Sequence, residues 1–341
     1  MNGENLRIES FTPNCLLGVT GAVAYKKYKI ENLYRLYFHH SYIYEKKLEV
    51  KYLPETGGLN VLFTRKLPVS KEIFINRLSD YYNLFHKYYG YFNYTNFIKD
   101  IAQLISDDEP LMIEIDFFFM KKHRYYRKVH DQHMMIIYNV DFEQRQFSVC
   151  EAVFGYFNMS FDEYFEYFSD VIEHRNRGIF VLTLNRNNSN KESRININYF
   201  IDDIDKSLDN LIADNGLKSL NDFCDDLSLF LKSNDNQNNF FVPGMWVFMC
   251  DSMNNVNFIN QFKKDYPDFN SDALEAVRKS SIITNRKWFY LTLAFNDISK
   301  YKTEDLVNAF DKIKDADNKF AFNLKLLKDD LINYKAKNIL G

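Results

Sequence analysis

The residues with the most chemistry to offer are a thiol, an imidazole and a carboxylate set far apart in the chain: Cys15, His133 and Glu151. Cys15 lies in FTPNCLLGVTGAVAYKKY, where Thr12, Pro13 and Asn14 suit a helix entry, and Leu16, Val19 and Val23 recur at helical spacing. A thiol in a first helical turn faces the positive end of the helix dipole, which lowers its pKa and favours the nucleophilic thiolate. By position alone Cys15 reads first as a small buried hydrophobe, the usual state of a cysteine outside a disulfide. A thiolate nucleophile needs a base, and the base needs a third group to hold its tautomer. Of the seven histidines (His39, His40, His86, His123, His130, His133 and His174), His133 stands out because it opens the apolar run HMMIIYNVD directly after the polar loop RKVHDQ. That position is the rim of a sheet. QFSVCEAV follows after the polar turn FEQR, and an antiparallel hairpin of this kind brings its far ends together, Glu151 beside His133. Asp131 is the local competitor for the orienting role and Asp162 a weaker one. Asn14, with the Cys15 backbone N–H, can donate to an oxyanion or serve only as a cap.

These side chains need a scaffold, and the sequence predicts one. PLMIEIDFFF (Pro110–Phe119), HMMIIYNVD (His133–Asp141), QFSVCEAV (Gln146–Val153) and GIFVLTLN read as buried strands. Ser160 and Glu163 form a capping box for the helix FDEYFEYFSDVIEH. The loop PETGGLN carries Gly57 and Gly58, suited to a tight turn or a close approach to ligand. The polar run RNNSNKES (Arg186–Ser193) is the best boundary, giving a domain over 1–190 and a second over 191–341. Beyond it the pattern is helical: Ile201, Ile204, Leu208 and Leu211 form one stripe closed by Gly216, Leu220, Phe223, Leu227 and Phe230 a second, and Val256, Ile259 and Phe262 a third. Thr303 starts another helix, with Glu304 and Asp305 in its first turn. The expected fold class is α+β, with a helical C-terminal region.

With 341 residues, 46% of them hydrophobic and 26% charged, the chain has the composition of a globular protein of one large or two ordinary domains. A net charge of −3 argues against a dedicated nucleic-acid binder. Cys15, Cys150, Cys224 and Cys250 show neither zinc-ribbon nor CxxC spacing, so neither a disulfide framework nor a metal site is expected. The polar start MNGENLRIES lacks an apolar core, and no apolar run is long enough to span a bilayer. A cytoplasmic setting, with reduced thiols and no membrane contact, is therefore expected.

The cysteine at a helix start, followed by PLMIEIDFFF and DQHMMIIYNVDFEQRQFSVCEA, resembles the N-terminal domain of the butirosin biosynthesis protein H family. Pro110, Ile113, Ile115, Asp116, His133, Asn139, Val140 and Asp141 fall in that family's frame, over roughly the first 185 residues. Glu151 stands where an aspartate is commoner, and Asn139 where a glycine is usual. The resemblance implies a papain-like, transglutaminase-type core with the order cysteine, histidine, acid. It also implies an activity: an acyl group leaves a carrier-protein thioester and joins an amine, forming an amide in natural-product assembly. One related branch forms the amide bonds of the antibiotic closthioamide. On that reading Cys15 takes the acyl group, His133 is the base and no cofactor is needed, because phosphopantetheine arrives on the acyl or peptidyl carrier protein. The segment KKHRYYRKVH, with Lys121, Lys122, Arg124, Tyr125, Tyr126 and Arg127, would dock an acidic carrier on that reading, or Tyr125 and Tyr126 would instead line the acyl channel; a solvated loop is the plain alternative.

Three other readings use the same residues. A papain-like cysteine peptidase would send the acyl group to water. A metal protein would draw His123, His130, His133 and Cys150 together. An interaction protein would bind a partner through its aromatic helical half and keep Cys15 buried. The acyl group, the amine and the oligomeric state are not written in the residues.

Overall fold

The computed structural model describes residues 15–30, 33, 36–46, 61–64, 71–106, 109–122, 126–127, 132–151, 155–187, 194–233, 245–295 and 298–339. They form two units that are not consecutive in sequence: Met1–Leu33 with Leu78–Lys191, and Tyr34–Arg77 with Glu192–Gly341. A single cut near residue 190 is thus replaced by a discontinuous division, because the segment Tyr34–Arg77 packs with the helical region.

The first unit is α+β. Its elements are α1 (Cys15–Tyr28), β3 (Leu84–Tyr91), α3 (Tyr94–Ser106), β4 (Leu111–Asp116), β5 (Gln132–Asp141), β6 (Gln146–Glu151), β7 (Gly155–Ser160), α4 (Phe161–His174) and β8 (Ile179–Arg186). The strands make one antiparallel sheet in the order β3-β8-β4-β5-β6-β7. Each face of the sheet has its own cover. Ile113, Ile115, Met135, Ile137, Phe147, Val149 and Val181 cluster with Phe97 and Ile101 of α3 and with Tyr164 and Phe168 of α4. The opposite face carries Met112, paired with Ile136 and Leu182 on its neighbours. There α1 lies, its Thr20 hydroxyl donating to Met112 Sδ at 3.8 Å and sitting 3.0 Å from His86 Nε2. The α4 capping box is formed, with Ser160 and Glu163 each accepting from the other's backbone N–H.

The second unit is nearly all helix: α5 (Ile197–Leu208), α6 (Gly216–Ser233), α7 (Met245–Asp265), α8 (Asp272–Ala294) and α9 (Thr303–Ile339), with a two-stranded ribbon of β1 (Ile43–Lys46) and β2 (Val61–Thr64). The division between units falls within α2 (Lys71–Tyr82), after Arg77. Leu36–Tyr42 is a strap outside the long helices and the strands, with every residue buried. Its main chain is satisfied by side chains of the helices. Phe38 N–H donates to Asp203, His39 N–H to Asn255 and His40 N–H to Ser207, while the amides of Asn254 and Asn255 donate to the Tyr37 and His39 carbonyls. Arg77 clamps the start of the strap, donating to the Leu36 carbonyl at 2.9 Å and to both oxygens of Asp203 at 2.7 and 2.9 Å.

Candidate active site

The hairpin β5–β6 positions the central pair. Its register begins with Asp141 opposite Gln146 and Asn139 opposite Ser148, then shifts at Tyr138, so that Ile137 meets Val149 and Ile136 meets Cys150. Tyr138 is an extra residue, a β-bulge. One step further, Glu151 comes opposite Met135, on the same face as His133 two residues away. Without the bulge Glu151 would oppose Ile136 and point through the other face, since a one-residue slip reverses every side chain. The bulge therefore builds the pair.

His133 Nε2 lies 2.6 Å from Glu151 Oε1. The Glu151 side chain has no exposed surface, whereas the imidazole keeps 14% of its own. A carboxylate only accepts, so the pairing assigns the ring proton to Nε2 and leaves Nδ1 as the basic nitrogen. Phe117 stacks on the imidazole, ring centroids 4.5 Å apart and planes 29° apart. Phe117 is held in turn by Asp116, whose buried carboxylate accepts from Phe118 N–H at 3.0 Å and from Arg175 at 2.9 Å. Sequence reasoning missed this support. Its signal was the acid–aromatic step Asp116–Phe117 at the end of a predicted strand.

Cys15 is the first residue of α1, half-buried, with no acidic side chain in the first turn. Cys150, Cys224 and Cys250 are buried thiols. Helix α1 packs against β5. It does so on the Met112–Ile136 face, whereas His133 pairs with Ile115 and shares the face of Met135, under α3 and α4. The structure therefore brings His133 and Glu151 together. Cys150, opposite Ile136, also lies on the α1 face, so it does not converge with His133.

The basic segment is used locally where it is described. Arg127 pairs with Glu166 of α4 and lies over the rings of Phe118, Phe119 and Tyr126, at 5.3, 5.6 and 5.4 Å. Lys122 sits 5.8 Å over the Phe157 ring, and the Lys121 N–H donates to Glu163. Tyr126 is half-buried. Asn14, Gly57, Gly58, Arg124, Tyr125 and Asp131 lie outside the described residues, as do His123 and His130. Asp162 is exposed and pairs with Arg145. Among the described residues no group of three or more His, Cys, Asp or Glu side chains is arranged to hold a metal ion, and no helix is long and apolar enough to cross a membrane. A second histidine–carboxylate contact lies in the helical unit, with His40 Nε2 3.1 Å from Asp317 and both side chains buried.

Fold and site together define an α+β protein with an antiparallel sheet, a helical C-terminal region and a carboxylate-oriented histidine at the sheet end. Comparison of the chain with protein-family models and with curated proteins returned no match.

Proposed function

We propose that the chain is an acyl-transfer enzyme that forms an amide, moving an acyl group from a carrier-protein thioester to a small amine, with His133 as base and Glu151 as the residue that orients it. The observation that carries this is the 2.6 Å bond between a partly exposed imidazole and a fully buried carboxylate. A structural ion pair has no need of a reachable ring nitrogen, whereas a general base does. The substrate class rests on the resemblance to the butirosin biosynthesis protein H family, whose papain-like route would carry the acyl group on Cys15. Transfer to an amine in place of water asks for a dry site, and Phe117 together with the aromatic core beneath the sheet supplies apolar walls.

The test supplies an acyl-pantetheine thioester with and without a diamine and follows products and intact protein by mass spectrometry. Amide that forms only with added amine and is lost in His133→Ala supports the transferase. Free acid at an equal rate with or without amine would make the chain a hydrolase. Neither product would remove the catalytic reading and leave an interaction protein.

A further inference from the structure

Resting on the acyl-transfer reading, we infer that Phe117 and Arg175 are positioning residues for the base: Phe117 sets the plane of the His133 ring, and Arg175 holds Phe117 in place through Asp116. The ground is what a single hydrogen bond leaves undetermined. The bond from Nε2 to Glu151 Oε1, 2.6 Å long, fixes one atom of the imidazole. The ring can still tilt about that contact. The basic lone pair of Nδ1 lies in the ring plane, so the plane decides where a proton can be taken up. A second contact, on the ring face, is needed. Phe117 supplies it, with centroids 4.5 Å apart and planes 29° from parallel, and being buried it cannot follow a ring that swings.

Phe117 is placed by its backbone as well as by its packing. It opens the short 3₁₀ turn Phe117–Phe119, which Asp116 caps by accepting from Phe118 N–H at 3.0 Å. Met120 N–H closes the turn on the Phe117 carbonyl at 3.2 Å, and Arg127 N–H donates to the Phe118 carbonyl at 3.0 Å. Strand pairing fixes the same point, because Asp116 stands opposite Gln132, the residue before His133. Asp116 has no exposed surface, so its charge needs a partner inside the protein. Arg175 donates to it at 2.9 Å and also lies 3.4 Å from Asp170. Arg175 is the C-cap of α4, its N–H donating to the Val171 carbonyl at 3.2 Å. A chain of contacts thus runs from the end of α4, through a buried carboxylate and an aromatic ring, to the imidazole.

The test pairs a spectrum with kinetics. Long-range ¹H–¹⁵N correlation of protein labelled at histidine reports the tautomer of His133, assigned by its loss in His133→Gln. Wild type is expected to show the Nε2–H form alone. Phe117→Leu keeps an apolar side chain and loses the stack, and Arg175→Gln removes the charge beside Asp116. In both, the ring leaves Glu151 for part of the time and the two tautomers are expected to mix. Arg175→Lys, which keeps the charge, is expected to restore the single form. With an acyl-pantetheine thioester and a diamine, Phe117→Leu and Arg175→Gln are expected to lower kcat about 10-fold with KM within about twofold, less than the roughly 10²-fold that a 1 Å misplacement can cost. A single Nε2–H tautomer in both variants, or kcat unchanged in both, overturns the inference. Should Phe117→Leu fail to fold, Arg175→Gln, at a side chain 24% exposed, decides alone. Absence of any product from wild type removes the acyl-transfer reading, and the tautomer measurement then decides the positioning by itself.

Discussion

A carboxylate withdrawn entirely from water must find its hydrogen bonds inside the protein or cost several kcal/mol. Glu151 finds His133, and in return the histidine gains a fixed tautomer. Glu151→Ala leaves the His133 Nε2–H without its acceptor, a loss of about 1–3 kcal/mol. Glu151→Gln keeps an acceptor oxygen and should cost less. Urea unfolding of both variants checks the order; equal midpoints for Glu151→Ala and wild type would mean that the pair contributes nothing. The pair was legible because both members flank one hairpin, eighteen residues apart. The residues that brace it were not. Arg175 reaches Asp116 across 59 residues of chain, and nothing in local spacing announces such a contact. The same limit applied to Cys15. Its place at a helix start was readable, but the face of the sheet that its helix covers is set by tertiary packing.

At the scale of elements, single residues decided matters that periodicity could not. The hairpin reading assumed that two paired strands align their far ends, yet a regular ladder would have sent Glu151 to the wrong face. Tyr138 corrects this, and no residue type there announces a bulge. Gly216 was expected to close a helix. In fact α5 runs into a π-turn over Asp209–Ala213, and Asn215, at φ 59°, supplies the left-handed residue. Gly216 opens α6 at a point where an added Cβ would come within 2.5 Å of the Asn210 carbonyl oxygen. The capping box of α4 is legible in the sequence because Ser160 and Glu163 lie three positions apart. It gives a clean prediction. Ser160→Ala removes the acceptor for the Glu163 N–H and should cost about 1 kcal/mol, seen as a lower urea midpoint at unchanged slope. Glu163→Ala should cost at least as much, since Glu163 also accepts from Lys121 N–H. A neutral result for both would mean that the helix start is held by packing alone.

Across the whole molecule the aromatic richness of the sequence becomes a pH property. Burial holds Tyr91 up at about 12, with Asp100 and Tyr89 adding to it, and burial likewise pushes Tyr94, Tyr164 and Tyr167 up in the first unit and Tyr42 in the second. A folded-state value raised above the unfolded one gives stability that is complete below the ordinary tyrosine range near 10 and fades as pH climbs toward about 12. Alkaline unfolding should therefore coincide with a late step in tyrosinate absorbance, and Tyr91→Phe should reduce the loss of stability over that window. A smooth titration of all tyrosines at the ordinary value, with the fold intact, would refute it. The domain arrangement carries the last prediction. Nothing periodic marks LYFHHSY as part of a helical unit, because its partners lie up to 277 positions away, as Asp317 does from His40. Expressed alone, residues 191–341 would leave Asp203, Ser207, Asn254 and Asn255 without the strap that satisfies them, while Asp317 would keep the Thr284 hydroxyl and lose His40. At about 1–3 kcal/mol for each unsatisfied group, four such losses are comparable to the entire stability of a typical domain, about 5–15 kcal/mol. The fragment should melt without a cooperative transition in far-ultraviolet circular dichroism, and supplying residues 34–77 as a second chain should restore one. A sharp, reversible melt of the fragment by itself would show that the helices hold together without the strap.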